Sequence, residues 1–246
     1  MSLELQNVSI SLGGRQLVKS VNIDLSPGEV VGLLGPNGAG KTTTFNLVIG
    51  LLRPDAGHVL LDRKDITELS MPERARCGIG YLPQEASVFR QLTVRQNLQI
   101  ALDQTNLTSK ECRDRRNQLI DEFHLGEFID RRGFQLSGGE RRRCEVARAL
   151  AVGRDGPQYL LLDEPFAGVD PLAVADLQGL IQSLRDRGMG ILITDHNVRE
   201  TLAITDRATI LNDGAILASG RAEHVSNDPL VRRYYRGEDF QLGSES

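Results

Sequence analysis

Residues 35–42 read Gly35-Pro36-Asn37-Gly38-Ala39-Gly40-Lys41-Thr42. Glycines at this density let a backbone curl until several N–H groups point at one anion. The run follows an apolar stretch, residues 30–34, and leads into a helical pattern over 41–52. A helix opening there adds the partial positive charge of its N-terminus. The spacing is G-x-x-x-x-G-K-[ST], in which the lysine reaches the outer phosphates and the following hydroxyl, Thr42, is offered to Mg²⁺. The chemistry is therefore capture of a phosphate chain. No residue of the run reads a purine.

A second cluster is Tyr159-Leu160-Leu161-Leu162-Asp163-Glu164-Pro165. Two carboxylates at the end of an apolar strand are costly unless cations or donors stand nearby. One reading places Asp163 on the Mg²⁺ shell and Glu164 where it accepts a proton from an attacking water. The other leaves both acids solvated at a strand end. The phosphate loop in the same chain favours the first.

A third cluster is Leu136-Ser137-Gly138-Gly139-Glu140. Ser137 with Glu140 three residues on is a capping box. Ser137 and the amides of Gly138 and Gly139 also form an anion site at a helix start. The plain alternative is an ordinary cap. A second phosphate site beside a single Mg²⁺ site makes sense if two chains share the nucleotide. The following Arg141-Arg142-Arg143 reads as a solvated helix face or as a patch near the nucleotide.

These clusters need elements to hold them. Leu3, Leu5, Val8 and Ile10 alternate as a strand, Gly13-Gly14 turns the chain, and Val18, Val21, Ile23 and Leu25 form the return. Residues 57–61 and 79–82 read as further strands. From about 93 to 150 the pattern is helical, with Thr108-Ser109 capping a helix whose apolar side carries Leu119, Ile120 and Phe123. Residues 159–162 and 190–194 are continuous apolar runs, as in parallel strands buried on both faces, and 172–184 has helical spacing between them. The expected architecture is an α/β core with a mostly parallel sheet, a small antiparallel β layer at the N-terminus and an inserted helical block. Ligands of such sheets bind at the carboxyl ends of the strands.

Composition narrows the function. Lys+Arg 29 against Asp+Glu 33 gives a net charge of −4, so no basic field attracts nucleic acid. Aromatics are 4% and Trp is absent, which removes a base-stacking platform. Cys77, Cys112 and Cys144 are scattered, and only four His are present, so neither a disulfide framework nor a zinc cluster is expected. The N-terminus lacks the regions of a signal peptide, and no apolar run approaches a membrane span. The expected location is cytoplasmic, with the membrane reached only through partners.

The order of the three clusters resembles the ATPase subunits of ABC transporters. In that family LSGGE lies between a Walker A loop and a Walker B strand of the form LLLDEP. The resemblance covers nearly the whole chain and implies a P-loop NTPase (RecA-like) core. It divides the chain into a catalytic core with β subdomain (about 1–90 and 157–236), a helical subdomain (about 91–156) and a C-terminal tail (237–246). It implies that ATP and Mg²⁺ are bound by residues 35–43, Thr43 included, with Thr42, Gln84 and Asp163 at the metal. It makes Glu164 the base, His196 of Thr194-Asp195-His196 the switch histidine, Gln84 of Tyr81-Leu82-Pro83-Gln84 the Q-loop glutamine and Asp170 the D-loop acid. Leu12 falls where many cassettes stack an aromatic ring on adenine, which opens the ATP-over-GTP preference. One copy of each motif implies a head-to-tail homodimer in which Ser137, Gly138 and Gly139 of one chain close on ATP held by the other.

Within the family, several stretches are similar to the ATPases of lipopolysaccharide export systems. They are GYLPQEASVFRQLTV from Gly80, LSGGERRRCEVARALA from Leu136, LLLDEPFAGVDP from Leu160, ITDHNVRETL from Ile193 and the tail residues 235–240. The resemblance implies two inner-membrane subunits docking beside Gln84, Phe89 and Arg90, and extraction of lipopolysaccharide as the work done. The alternatives are the ATPase of a branched-chain amino acid importer and, less so, a non-transport ABC protein. The latter usually carries two cassettes in one chain or a long coiled-coil insertion.

Overall fold

The computed structural model describes residues 1–153, 155–196, 198–229 and 231. The tail stretch 235–240 and the whole of 237–246 lie outside the described residues. Strands β1 (Leu3–Leu12) and β2 (Arg15–Leu25) form the antiparallel pair the alternation predicts, turned at Gly13-Gly14. β3 (Val30–Leu34) leads through the Gly-rich loop into α1 (Lys41–Ile49). α1 stops before the expected residue 52 because Gly50 takes the left-handed C-cap conformation. β4 (Ala56–Leu61) and the short β5 (Lys64–Asp65) complete a sheet ordered β2-β1-β4-β5. α2 (Met71–Arg76) and β6 (Ile79–Leu82) follow.

The helical block holds α3 (Val94–Leu102), α4 (Ser109–Glu122) and α5 (Gly138–Ala149). Thr108 caps α4 and Ser137 caps α5, each with its glutamate at N3 closing the box. β7 (Tyr159–Asp163), α6 (Pro171–Asp186), β8 (Gly190–Thr194) and α7 (Val198–Leu202) return to the core. β9 (Arg207–Asn212), β10 (Ala215–Arg221) and α8 (Ala222–Asn227) finish it.

The second sheet has the order β10-β9-β3-β8-β7-β6. Its strands β9, β3, β8, β7 and β6 run parallel, and β10 is an antiparallel edge. Every residue of β3, β7 and β8 is buried, because helices cover one face and the β layer with α1 covers the other. One apolar cluster runs from the sheet into the helical block through Leu98, Leu119, Phe123 and Val146. A second joins β1 and β2 to α1 through Val8, Val21, Phe45 and Val48.

Arg74 is fully buried and locks the far end of α1. Its guanidinium donates to the carbonyls of Leu47, Val48, Thr67 and Leu69 at 2.6–2.9 Å. The cation sits on the negative end of the helix dipole, and burial brings its pKa down to about 10. Among the described residues, no helix is long and apolar enough to cross a membrane.

Candidate functional site

Four neighbouring strand ends converge. In the order β3-β8-β7-β6 the strands deliver the Gly-rich loop, Thr194-Asp195-His196, Asp163-Glu164 and Pro83-Gln84. Parallel strands place all four segments at one edge, so Lys41 and Asp195, far apart in sequence, become electrostatic neighbours.

The loop is shaped by close backbone approach. Gly35 has φ +152°, and a Cβ there would stand 2.3 Å from the carbonyl oxygen of Leu211. Gly40 has φ +103°, and its Cβ would meet the carbonyl oxygen of Leu17 at 2.6 Å. The hairpin turn between β9 and β10 braces the loop, with the Gly214 N–H donating to the Ala39 carbonyl at 3.0 Å. Lys41 is buried and its ammonium donates to the carbonyls of Gly35 (2.8 Å) and Pro36 (3.2 Å). Burial pulls its pKa down, while Glu164, Asp163 and Asp195 oppose that shift. Pro36, Asn37, Gly38 and Thr42 are exposed and Thr43 is half-buried, so the loop offers its outer surface to a ligand.

Asp163 does not lie solvated at a strand end. It is 1% exposed, and its Oδ1 accepts from the Thr194 hydroxyl at 2.6 Å. Burial raises its pKa, and the Thr194 hydrogen bond only partly offsets this. The folded chain thus holds a proton on Asp163 more tightly than the unfolded chain does. Ionising it costs stability as pH rises from the unfolded pKa through the folded one. Asp163→Asn is expected to raise the melting temperature of the nucleotide-free protein at pH 7. The gain narrows as pH falls into the carboxylate range, where Asp163 is protonated in both states. Thermal melts at two pH values check it. A loss of stability at pH 7 contradicts the assignment of burial as the dominant effect.

Glu164 sits in a left-handed backbone conformation, φ 44°, uncommon for a non-glycine residue. Its N–H donates to the Thr194 carbonyl at 2.9 Å, which fixes the turn out of β7. Gln84 Nε2 donates to Glu164 Oε2 at 2.9 Å, and His196 Nδ1 lies 3.3 Å from the same oxygen. The structure therefore brings together Gln84, Glu164 and His196 on one carboxylate. Asp195 is fully buried, and its Oδ2 accepts from the Phe166 N–H at 3.2 Å. His196 Nδ1 is 3.4 Å from Asp195 Oδ1.

The remaining sequence candidates sit around this centre. Leu12 is exposed at the end of β1. Asp170 caps α6, its Oδ1 accepting from the Ala173 N–H at 3.0 Å. The Ser137 hydroxyl accepts from the Glu140 N–H at 3.3 Å. Phe89 and Arg90 are exposed on the loop beyond Gln84, and the Arg148 guanidinium lies 4.9 Å from the centroid of the Phe89 ring.

The reading of Arg141-Arg142-Arg143 as a solvated face fails at its middle member. Arg142 is 7% exposed and pairs with Glu145 at 3.3 Å. It donates to the carbonyls of Pro83 (3.1 Å), Pro165 (3.1 Å), Glu164 (3.2 Å) and Asp163 (3.4 Å). Position 142 is one helical turn before buried Val146, so the helix turns it inward. That spacing was the available signal for Arg142. Asn97, Glu145 and Thr194 were likewise not singled out.

A Gly-rich phosphate loop, an acidic strand end and a capped glycine signature on one α/β frame make this a nucleotide-binding cassette of the P-loop type. Residues 18–167 match the family described as ABC transporter. The chain belongs to that family. A protein of Acidithiobacillus ferridurans called lipopolysaccharide export system ATP-binding protein LptB is 53% identical over 240 residues, covering 98% of both chains. The Escherichia coli K12 protein of the same name is 51% identical over 242 residues, covering 98% of this chain and 99% of its own. Among solved structures, an ATP-binding cassette of an ABC transporter in its ADP conformation matches with a TM-score of 0.86 at 28% identity, covering 97% of this chain and all of that one. A dimeric post-hydrolysis cassette bound to ADP and Pi matches with a TM-score of 0.78 at 26% identity, over 90% of this chain and 99% of that one.

Proposed function

We propose that the chain is the ATP-hydrolysing motor of a lipopolysaccharide exporter, working as a head-to-tail homodimer beneath two inner-membrane subunits. The observation that carries the cargo is identity above half, over almost the full length, to proteins named for lipopolysaccharide export. The likeness to a dimeric cassette supports the assembly.

The chemistry follows from the strand-end cluster. The P-loop amides and Lys41 hold the phosphates of ATP, and Leu12 packs against the base. Asp163 and Thr42 are hard oxygen donors that would hold Mg²⁺, with Gln84 close by. The buried Asp163 carboxylate fits a cation there, since it is costly to ionise alone. When bound there, the ion would neutralise phosphate charge. Glu164 orients and deprotonates the attacking water. Gln84 holds Glu164 Oε2, which leaves Oε1 for that water. His196 stands beside the same carboxylate and reaches the γ-phosphate. Ser137, Gly138 and Gly139 of the second chain close on the nucleotide, with Asp170 at the seam. The protein then lies on the cytoplasmic face of the inner membrane, held by its partners.

Docking fits a groove of about 350 Å³ whose walls include Met71, Arg74, Tyr81, Pro83, Ala101 and Arg148. Phe89 stands over Arg148 at this edge, 46% exposed. The test is a pull-down from solubilised inner membrane with Glu164→Gln protein, ATP and Mg²⁺. Two membrane subunits carrying lipopolysaccharide support the reading, and amino-acid permease subunits or ribosomes overturn the cargo. Phe89→Ala is expected to abolish this recovery while isolated ATP turnover stays within about twofold, since an exposed side chain carries little of the fold. Recovery undiminished by Phe89→Ala removes the docking role.

A further inference from the structure

We infer that Glu145 is a positioning residue that links the partner-docking loop to the catalytic turn through Arg142. Glu145 is 2% exposed in the middle of α5, a place where a carboxylate needs specific partners. Its Oε1 accepts from the N–H groups of Ser87 (2.8 Å) and Val88 (3.3 Å), immediately before Phe89. Its Oε2 accepts from Arg142 at 3.3 Å. Arg142 in turn holds the carbonyls of Asp163, Glu164 and Pro165, and that of Pro83 beside Gln84. One carboxylate therefore touches the docking loop with one oxygen and, through one guanidinium, the backbone of Glu164 with the other.

The same loop is clamped from a second side. Asn97, fully buried on α3, accepts from the Phe89 N–H at 2.8 Å and donates to the carbonyls of Phe89, Leu92 and Thr93 at 3.0–3.3 Å. Arg148 donates to the Ser87 carbonyl. Residues 87–92 are thus fixed to α3 and α5, and a push on Phe89 moves α5 rather than the loop alone. Arg142 is the point at which α5 meets the backbone of Glu164, whose left-handed conformation depends on being held from outside. A buried, fully bonded network with two ends is the physical form such coupling takes.

The inference rests on Glu164 as the base, so Glu164→Gln is run alongside. Its wild-type turnover would fail that reading regardless of Glu145. Steady-state ATP hydrolysis is measured for Glu145→Gln and for the double variant Arg142→Met/Glu145→Leu, together with melting temperature and amide exchange at Ser87 and Val88. Glu145→Gln is expected to lower kcat about tenfold with KM within about twofold, because a small displacement of the base costs the chemical step and not binding. Exchange at Ser87 and Val88 is expected to change on adding a non-hydrolysable ATP analogue in the wild type and not in Glu145→Gln. The double variant replaces a buried ion pair by apolar side chains, a change that often preserves stability. It still leaves the four carbonyls that Arg142 holds and the Ser87 and Val88 N–H groups without these partners. It is therefore expected to melt below wild type but above Arg142→Ala, which leaves a buried charge without its counter-ion as well, with kcat still depressed. Recovery of kcat together with stability in the double variant, or a wild-type kcat in Glu145→Gln, overturns the positioning role.

Discussion

Glu164→Gln protein is expected to bind ATP with near wild-type affinity and to hydrolyse it 10²–10⁴ times more slowly, about the contribution of a positioned general base. The substitution keeps the volume of the side chain and an oxygen for Gln84 Nε2, which now stands 2.9 Å away. It keeps the backbone anchor as well, because the N–H bond to the Thr194 carbonyl does not involve the side chain. What it removes is the proposed proton acceptor. Binding is expected to survive because the proposed phosphate contacts, the loop and Lys41, are left in place. A loss of kcat with KM unchanged is the signature of an interaction made in the transition state. Single-turnover hydrolysis with radiolabelled ATP separates this from slow product release.

Arg142→Ala is expected to destabilise the fold strongly. It leaves four carbonyls without the donor that holds them, and it strands Glu145 in a site 2% exposed. Breaking one partner of a buried pair costs about 3–5 kcal/mol, roughly 10 °C of melting temperature for a chain of this length. Calorimetry of the nucleotide-free protein measures it. A shift of a degree or less would show that the pair is not held as the geometry has it. Lys at 142 keeps the charge but not the planar fork, and is expected to fall between.

The site was legible because its chemistry is local. A phosphate loop needs glycines at fixed spacing, an acidic strand end stands out after Leu160-Leu161-Leu162, and Ser137 with Glu140 announces its own cap. Thr194 and Asp195 follow from neither pattern, since their importance arises only when β8 is threaded between β3 and β7. Arg142, Glu145 and Asn97 were hidden for a different reason. Charged and amide side chains are read as solvated, and burial reverses that only when each donor and acceptor finds a partner across the fold. The hairpin of β9 and β10 carried a local signal, Asp213-Gly214 between apolar runs, with both residues at positive φ. Its function did not show in sequence, because the brace it gives to Ala39 spans 175 positions.

In the proposed homodimer each nucleotide is enclosed by the P-loop of one chain and the signature of another. This arrangement is tested by mixing two inactive variants, Lys41→Ala and Ser137→Phe, and assaying ATP hydrolysis. Each homodimer has two defective sites. In a mixed dimer both lesions fall in one site and the other is intact, so equal mixing restores about a quarter of the sites. Reappearance of activity in the mixture is the predicted result. A mixture as inactive as its two components would contradict the shared site.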